Sequence, residues 1–374
     1  MRIERDWVAL DSTSVGRHGA GGHPCQGVYY RPAGTMPTTA MIATHYAIDF
    51  SEHYLAEYMA ARGIGFLGWN TRFRGNEQTF LLDHALVDIG QGVRWLRAQA
   101  GVENVVLLGN SGGGSLMAAY QSQAKQPNVR PLAGMRPATG IEDLPAGDLY
   151  VSTAAHLGRP EVLTNWFDPS VTDENDPLAT DPELSLFTEG REAPFDAEFI
   201  DRYRAAQVAR NHRITAWVTD ELARVRAAGY HDRLFNLYRA WADPRMVDPS
   251  IEPTNREPNS CYAGVPAKAN YSIFGIAGTN SLRTWLSLWS LQDSQTSAAP
   301  HLARITEPAL VINADGDTGV FPSDAADIVA NLGSKDVQEH VISADHYFRR
   351  PNGDDSARVE MADLVSGWIA EKLH

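Results

Sequence analysis

One stretch constrains this chain more than any other: Val105-Val106-Leu107-Leu108-Gly109-Asn110-Ser111-Gly112-Gly113-Gly114-Ser115-Leu116-Met117-Ala118-Ala119. An apolar, β-branched run stops at a glycine cluster, and a helix-forming run follows at once. At the stop sits Ser111 in a G-x-S-x-G setting, the pattern of a strand-to-helix turn so sharp that only small neighbours fit. Gly109 and Gly113 leave room for the strand and helix to approach. Ser111 is expected at the strained apex with its hydroxyl exposed. The helix that begins there turns its N-terminal amides toward any negative charge forming beside the serine.

The segments before this turn alternate. Trp7–Leu10 and Gly27–Tyr30 read as short strands with an antiparallel start, joined by a Gly/His-rich connection from Gly16 to Pro24. Ala40–Thr44 is a continuous apolar run, as in a strand buried on both faces. A helix is predicted from a Ser51 cap through Arg62, a strand over Ile64–Trp69, a helix from about Asp83 to Ala100, and a strand over Val102–Leu108. Leu149–Ser152 reads as the next strand. From Gly158 to about Pro300 no clean strand signal appears. Helical stripes replace it, one of them Ile214, Trp217, Val218, Leu222 and Val225. The alternation resumes with a strand at Pro308–Asn313, a helix capped by Ser323, a last strand at Gln338–Ile342 and a C-terminal helix from about Ser356. This order implies an α/β chain: a mostly parallel central sheet with helices on both faces and an inserted, mainly helical segment.

A serine hydroxyl is a poor nucleophile at neutral pH and needs a base and a group to orient that base. Residues just past the C-terminal ends of parallel strands gather at one edge of the sheet. Ser111, Asp317 and His346 each follow a strand in that way. With this order the chain resembles the α/β-hydrolase fold, whose triad runs serine, acid, histidine. The resemblance covers residues 1–157 and 300–374 as the core, with 158–299 as a helical cap or lid.

The resemblance implies Ser111 as nucleophile, His346 as general acid–base and Asp317 as the residue that orients the imidazole. Asp315 competes for the acid role, and Asp317 is preferred because it lies farther beyond the apolar strand. The oxyanion hole is expected from the amides of Gly112 and Tyr46, with the Tyr46 side chain at or near the substrate. Where this fold commonly carries His-Gly, the chain has Thr44-His45-Tyr46. His45, His156 and Asn110 are candidate substrate contacts, and a hydrogen-bonded structural role is the preferred reading of both histidines.

Composition narrows the partners. The formal net charge of −14 opposes binding to nucleic acid or to an anionic membrane surface. Two distant cysteines, Cys25 and Cys261, make neither a disulfide framework nor a metal cluster. No phosphate-loop, H-E-x-x-H or paired-cysteine pattern occurs, so no cofactor and no metal are expected. The N-terminus lacks the apolar run of a signal peptide, which points to the cytoplasm. The expected activity is hydrolysis of a carboxylic ester of a medium-sized apolar or aromatic small molecule, through an acyl-serine. A lactonase, thioesterase, amidase, C–C bond hydrolase or acyltransferase uses the same triad. A non-catalytic binding protein is disfavoured because every triad position is filled, and a homodimer is compatible with the cap.

Overall fold

A computed structural model describes residues 2–14 and 22–373; most of the Gly/His-rich connection lies outside them. Eight strands form one sheet in the order β1-β2-β4-β3-β5-β6-β9-β10. They are β1 (Ile3–Leu10), β2 (Cys25–Pro32), β3 (Thr39–Ala43), β4 (Gly65–Asn70), β5 (Asn104–Asn110), β6 (Leu149–Thr153), β9 (Ala309–Ala314) and β10 (Val337–Ile342). β2 pairs antiparallel with β1 and β4, and every other pairing is parallel. The antiparallel start and the parallel remainder match the sequence pattern.

The parallel strands read as unbroken apolar runs because both their faces are covered. Ala40, Ile42, Val105 and Leu107 pack into one core with α2 (Leu82–Ala98) and α3 (Gly113–Lys125). Their neighbours Met41, Ala43, Val106 and Leu108 face the other core, with α1 (Ala56–Ala60) and the C-terminal helix Ser356–Leu373.

Two helix starts differ from the sequence expectation. α1 begins after Leu55 rather than at Ser51. The Ser51 N–H instead donates to the Asp49 carboxylate, and its carbonyl accepts from the Tyr30 hydroxyl. Gly68 approaches the Phe50 carbonyl closely, and the chain from 51 to 55 runs in turns, the His53 N–H donating to that carbonyl at 3.1 Å. The helix Pro322–Asn331 is preceded by Phe321, not capped by Ser323, which is bound through its N–H and hydroxyl by Glu252.

Between β6 and β9 lie α4 (Arg159–Trp166), the 31-residue α5 (Ala197–Ala227) and several short helices. Asp196 caps α5 by accepting from the Phe199 N–H at 2.7 Å. α5 buries Tyr203, Gln207, Arg210, Ile214 and Val218, a helical stripe, whereas Trp217 lies at its margin and is 42% exposed. A two-stranded ribbon, β7 (Leu234–Asn236) with β8 (Thr279–Ser281), also forms here. Three-residue strands leave too short a period-2 signal to be read from sequence.

The turn after β5 is tightly packed. A Cβ on Gly109 would stand 2.7 Å from Gly114 Cα, one on Gly113 2.2 Å from the Thr44 carbonyl oxygen, and one on Gly114 2.6 Å from Ala155 Cβ. Gly113→Ala is therefore expected to cost about 1–3 kcal/mol of stability or more. Gly367→Ala, at an open position in the C-terminal helix, should add about 0.5–1 kcal/mol. Chemical denaturation of the two variants checks the contrast, and equal effects would contradict it.

Candidate active site

Ser111 sits at the apex of the turn with φ 55°. A left-handed backbone at a non-glycine residue costs on the order of 1–3 kcal/mol and persists only where its surroundings enforce it. Here the enforcement is visible. Ser111 donates its N–H to the Thr153 carbonyl at 3.1 Å, and its own carbonyl accepts from Gly114 and His156. The end of β6 thus clamps the serine from one side while α3 starts on the other. The Ser111 hydroxyl engages no protein partner among the described residues.

Asp317 and His346 follow β9 and β10, adjacent parallel strands. His346 Nδ1 donates to Asp317 Oδ2 at 2.6 Å. The other carboxylate oxygen accepts the Gly319 and Val320 N–H groups at 2.9 and 3.0 Å. With Nδ1 committed as a donor, Nε2 is the nitrogen left to take up a proton. Asp315, the competing acid, accepts from the Asn255 amide through Oδ2 and does not touch His346.

Tyr262 joins this pair from the inserted segment. Its hydroxyl donates to Asp317 Oδ1 at 2.8 Å and stands 2.9 Å from His346 Nδ1. Its ring lies 4.5 Å from the imidazole, centre to centre. Burial, and then the charge of Asp317, push the Tyr262 hydroxyl well above its ordinary pKa, so it stays a donor. No sequence signal marked Tyr262. Its partners are 55 and 84 residues away.

The loop after β3 abuts the turn. His45 Nε2 lies 2.7 Å from where a Gly112 Cβ would stand. The N–H groups of Gly112 and Tyr46 donate to no protein acceptor among the described residues. The Tyr46 side chain departs from expectation: its hydroxyl bonds Ser115 Oγ at 2.8 Å and its ring is fully buried against Phe80. It braces α3 instead of facing outward.

Asn110 is likewise consumed inside the core, its amide bonded to His53 Nε2 and the Thr153 carbonyl. His45 and His156 are buried, yet Nδ1 of each lacks a hydrogen-bond partner, so neither is the satisfied structural histidine expected. Burial first, and then the positive charge of Arg159 and His346, hold both well below the ordinary histidine pKa. Gly112 lies between His45 and Arg159, whose Nε2 and Nη1 stand 2.7 and 2.9 Å from where its Cβ would be.

Aromatic rings from the inserted segment complete the surroundings. Trp166 stacks on Trp241 at 4.8 Å and meets His156 at 5.8 Å, and both tryptophans contact Tyr262 edge to face. Trp289 lies under the Arg159 guanidinium. Trp285 is a core residue, fully buried and bonded to Thr215. Trp217 instead lines a separate cavity of about 460 Å³ with Arg213 and Phe235, whose walls include neither Ser111 nor His346.

No group of His, Cys, Asp and Glu among the described residues is arranged to hold a metal ion. No helix of these residues is long and apolar enough to cross a membrane. Cys25 and Cys261 are both buried as free thiols.

No protein-family model matches the chain, and no curated protein matches its sequence. Solved structures do match in fold. DcsB in complex with its substrate analogue superposes with a TM-score of 0.50 at 12% identity over 99% of both chains. The esterase domain of a Rhodothermus marinus protein gives 0.48 at 11% identity over the whole of each. The α/β-hydrolase GrgF from a Penicillium species gives 0.48 at 9% identity, covering 92% of this chain and 91% of that one. The sheet order and its antiparallel β2 are those of the α/β-hydrolase fold, and this chain has that fold.

The buried histidines generate a stability prediction. His53, pushed down to about 4 by burial, stays neutral in the folded protein where the unfolded chain would protonate it near 6.5. The folded state therefore binds fewer protons, and stability falls as pH drops from about 6.5 toward 4. Asp324, pushed up to about 7 by burial, works in the opposite sense, so the histidine's share must be read by difference. The stability of the protein minus that of His53→Gln should be flat above pH 7. Below about 6.5 it should fall by up to roughly 1.4 kcal/mol per pH unit. Urea unfolding at pH 7.5, 6 and 5 measures it, and a difference independent of pH would refute the neutral assignment.

Proposed function

We propose that this chain is a serine hydrolase that cleaves a carboxylic ester through an acyl-serine intermediate. One observation carries the reading: a serine held at φ 55° on the edge where His346 donates through Nδ1 to Asp317 at 2.6 Å. Ser111 Oγ attacks the ester carbonyl as His346 Nε2 takes its proton. The N–H groups of Gly112 and Tyr46, free of protein acceptors, receive the developing oxyanion. The C–O bond to the alcohol then breaks, and His346 returns the proton to the leaving oxygen. Water enters, gives a proton to His346 and attacks the acyl carbonyl. Collapse of that second adduct releases the acid and restores the Ser111 hydroxyl.

The segment from 158 to 299 serves in this reading as a lid that selects the substrate. Its Trp166, Trp241 and Tyr262 rings bring apolar surface beside His156 and His346, which suits an apolar or aromatic ester of medium size. The enclosed setting also strengthens the electrostatics of the oxyanion.

Ser111→Ala should lower kcat by roughly four to six orders of magnitude on a short 4-nitrophenyl ester, with the fold intact. It should also abolish labelling by a fluorophosphonate. Asp317→Asn should cost at least about a hundredfold, and Asp315→Asn no more than about twofold. Retained activity in Ser111→Ala would end the proposal, and a damaging Asp315→Asn with a mild Asp317→Asn would reassign the acid.

The lid reading is checked separately. Trp166→Ala or Trp241→Ala should change the ratio of kcat/KM between a bulky and a small ester by more than about twofold, and Trp217→Ala should not. A ratio unmoved by all three replacements would remove the lid from substrate selection.

A further inference from the structure

Arg159 is buried at 3% exposure beside the proposed nucleophile, and its charge is only partly answered. Nη2 donates to Glu77 Oε1 at 3.0 Å, and the other Glu77 oxygen is taken by the Ala277 N–H at 3.1 Å. The guanidinium carbon lies 4.6 Å from the Trp289 ring centre and 5.3 Å from that of Tyr46, which fixes its plane. Nη1 stands 2.9 Å from the position a Gly112 Cβ would occupy. Nε is buried with no hydrogen-bond partner, and so are Nδ1 of His45 and Nδ1 of His156.

Buried polar groups in folded proteins find partners, and each exception asks for an explanation. A guanidinium offers only donors, in a planar fork that matches a carboxylate. A fixed cation that keeps one buried nitrogen, Nε, unpartnered and sets another, Nη1, against Gly112 describes a seat for an anion that the protein does not itself fill. The leaving alcohol must lie against His346, which protonates it. A group held at Gly112 and Arg159 therefore belongs to the acyl part of the substrate.

Building on the esterase reading, we infer that the natural substrate is an ester whose acyl portion carries a carboxylate a few bonds from the scissile carbonyl, bound by Arg159. The aromatic lining and this cation then divide the substrate between an apolar and an anionic end. The sequence expectation of an apolar ester is narrowed to a hemiester of a dicarboxylic acid.

The test compares 4-nitrophenyl hydrogen succinate and glutarate with their methyl 4-nitrophenyl diesters, which differ in charge at one end. For at least one chain length, kcat/KM for the free acid should exceed that for the diester by roughly tenfold or more. In Arg159→Gln the acid should lose at least about tenfold more than the diester, chiefly through KM, and Arg159→Lys should recover part of the loss. Circular dichroism and fluorophosphonate labelling report whether each variant is folded. Should Arg159→Gln fail to fold, glutarate must inhibit diester hydrolysis by the unaltered protein more strongly than dimethyl glutarate does.

No preference for the acid at either length would overturn the inference. So would equal losses on both esters in Arg159→Gln, which would make the guanidinium an oxyanion donor. Failure of the esterase reading looks different: no Ser111-dependent turnover of the diester and no labelling.

Discussion

A strand, a serine and a helix can share a turn this tight only where side chains are missing, and everything at the catalytic edge depends on that close approach. Gly109 against Gly114, Gly113 against the Thr44 carbonyl and Gly114 against Ala155 bring three backbones within contact of one another. The approach has two effects at once. It holds Ser111 in a left-handed conformation that its own preferences oppose. It also draws the loop after β3 onto the start of α3, where the amides of Gly112 and Tyr46 have no protein acceptor among the described residues. The clamp from Thr153 and His156 adds the end of β6 to the same assembly. Strand ends, rather than a long loop, thus set the position of Ser111.

Around this frame the electrostatics are arranged by burial. Three histidines, His45, His53 and His156, are held neutral, while His346 has a carboxylate partner fixed by four donors: its own Nδ1, two backbone amides and a phenol. Of these four imidazoles, His346 alone is paired with a carboxylate. Arg159 adds a permanent cation whose guanidinium lies between Tyr46 of the core and Trp289 of the inserted segment.

What could be read from the sequence was whatever has a local signature. Both-faced apolar runs gave away the parallel strands, and the residues just past them, Ser111, Asp317 and His346, could be placed on one edge by counting strands. Contacts that join distant segments left no such trace. Tyr262 and Arg159 carry no motif, and their importance follows from partners 55 and 82 residues away in the chain. The directions of the Tyr46 and Asn110 side chains are hidden for a related reason. Proximity to the nucleophile in sequence says nothing of which way a side chain turns, and Ser115 and His53 were nearer polar partners than any substrate. At the start of α1, Ser51 has the chemistry of a cap, but its N–H and carbonyl are engaged by Asp49 and Tyr30 instead.

The phenol of Tyr262 has a consequence for how such a protein changes over time. Because the inserted segment supplies one of the donors to Asp317, it is tied directly to the Asp317–His346 pair. A segment exchanged wholesale for another of similar size would bring new walls but leave that carboxylate a partner short. In the proposed hydrolase, a change of substrate preference would then fall on the neighbouring rings, with Tyr262 kept for its bond to Asp317.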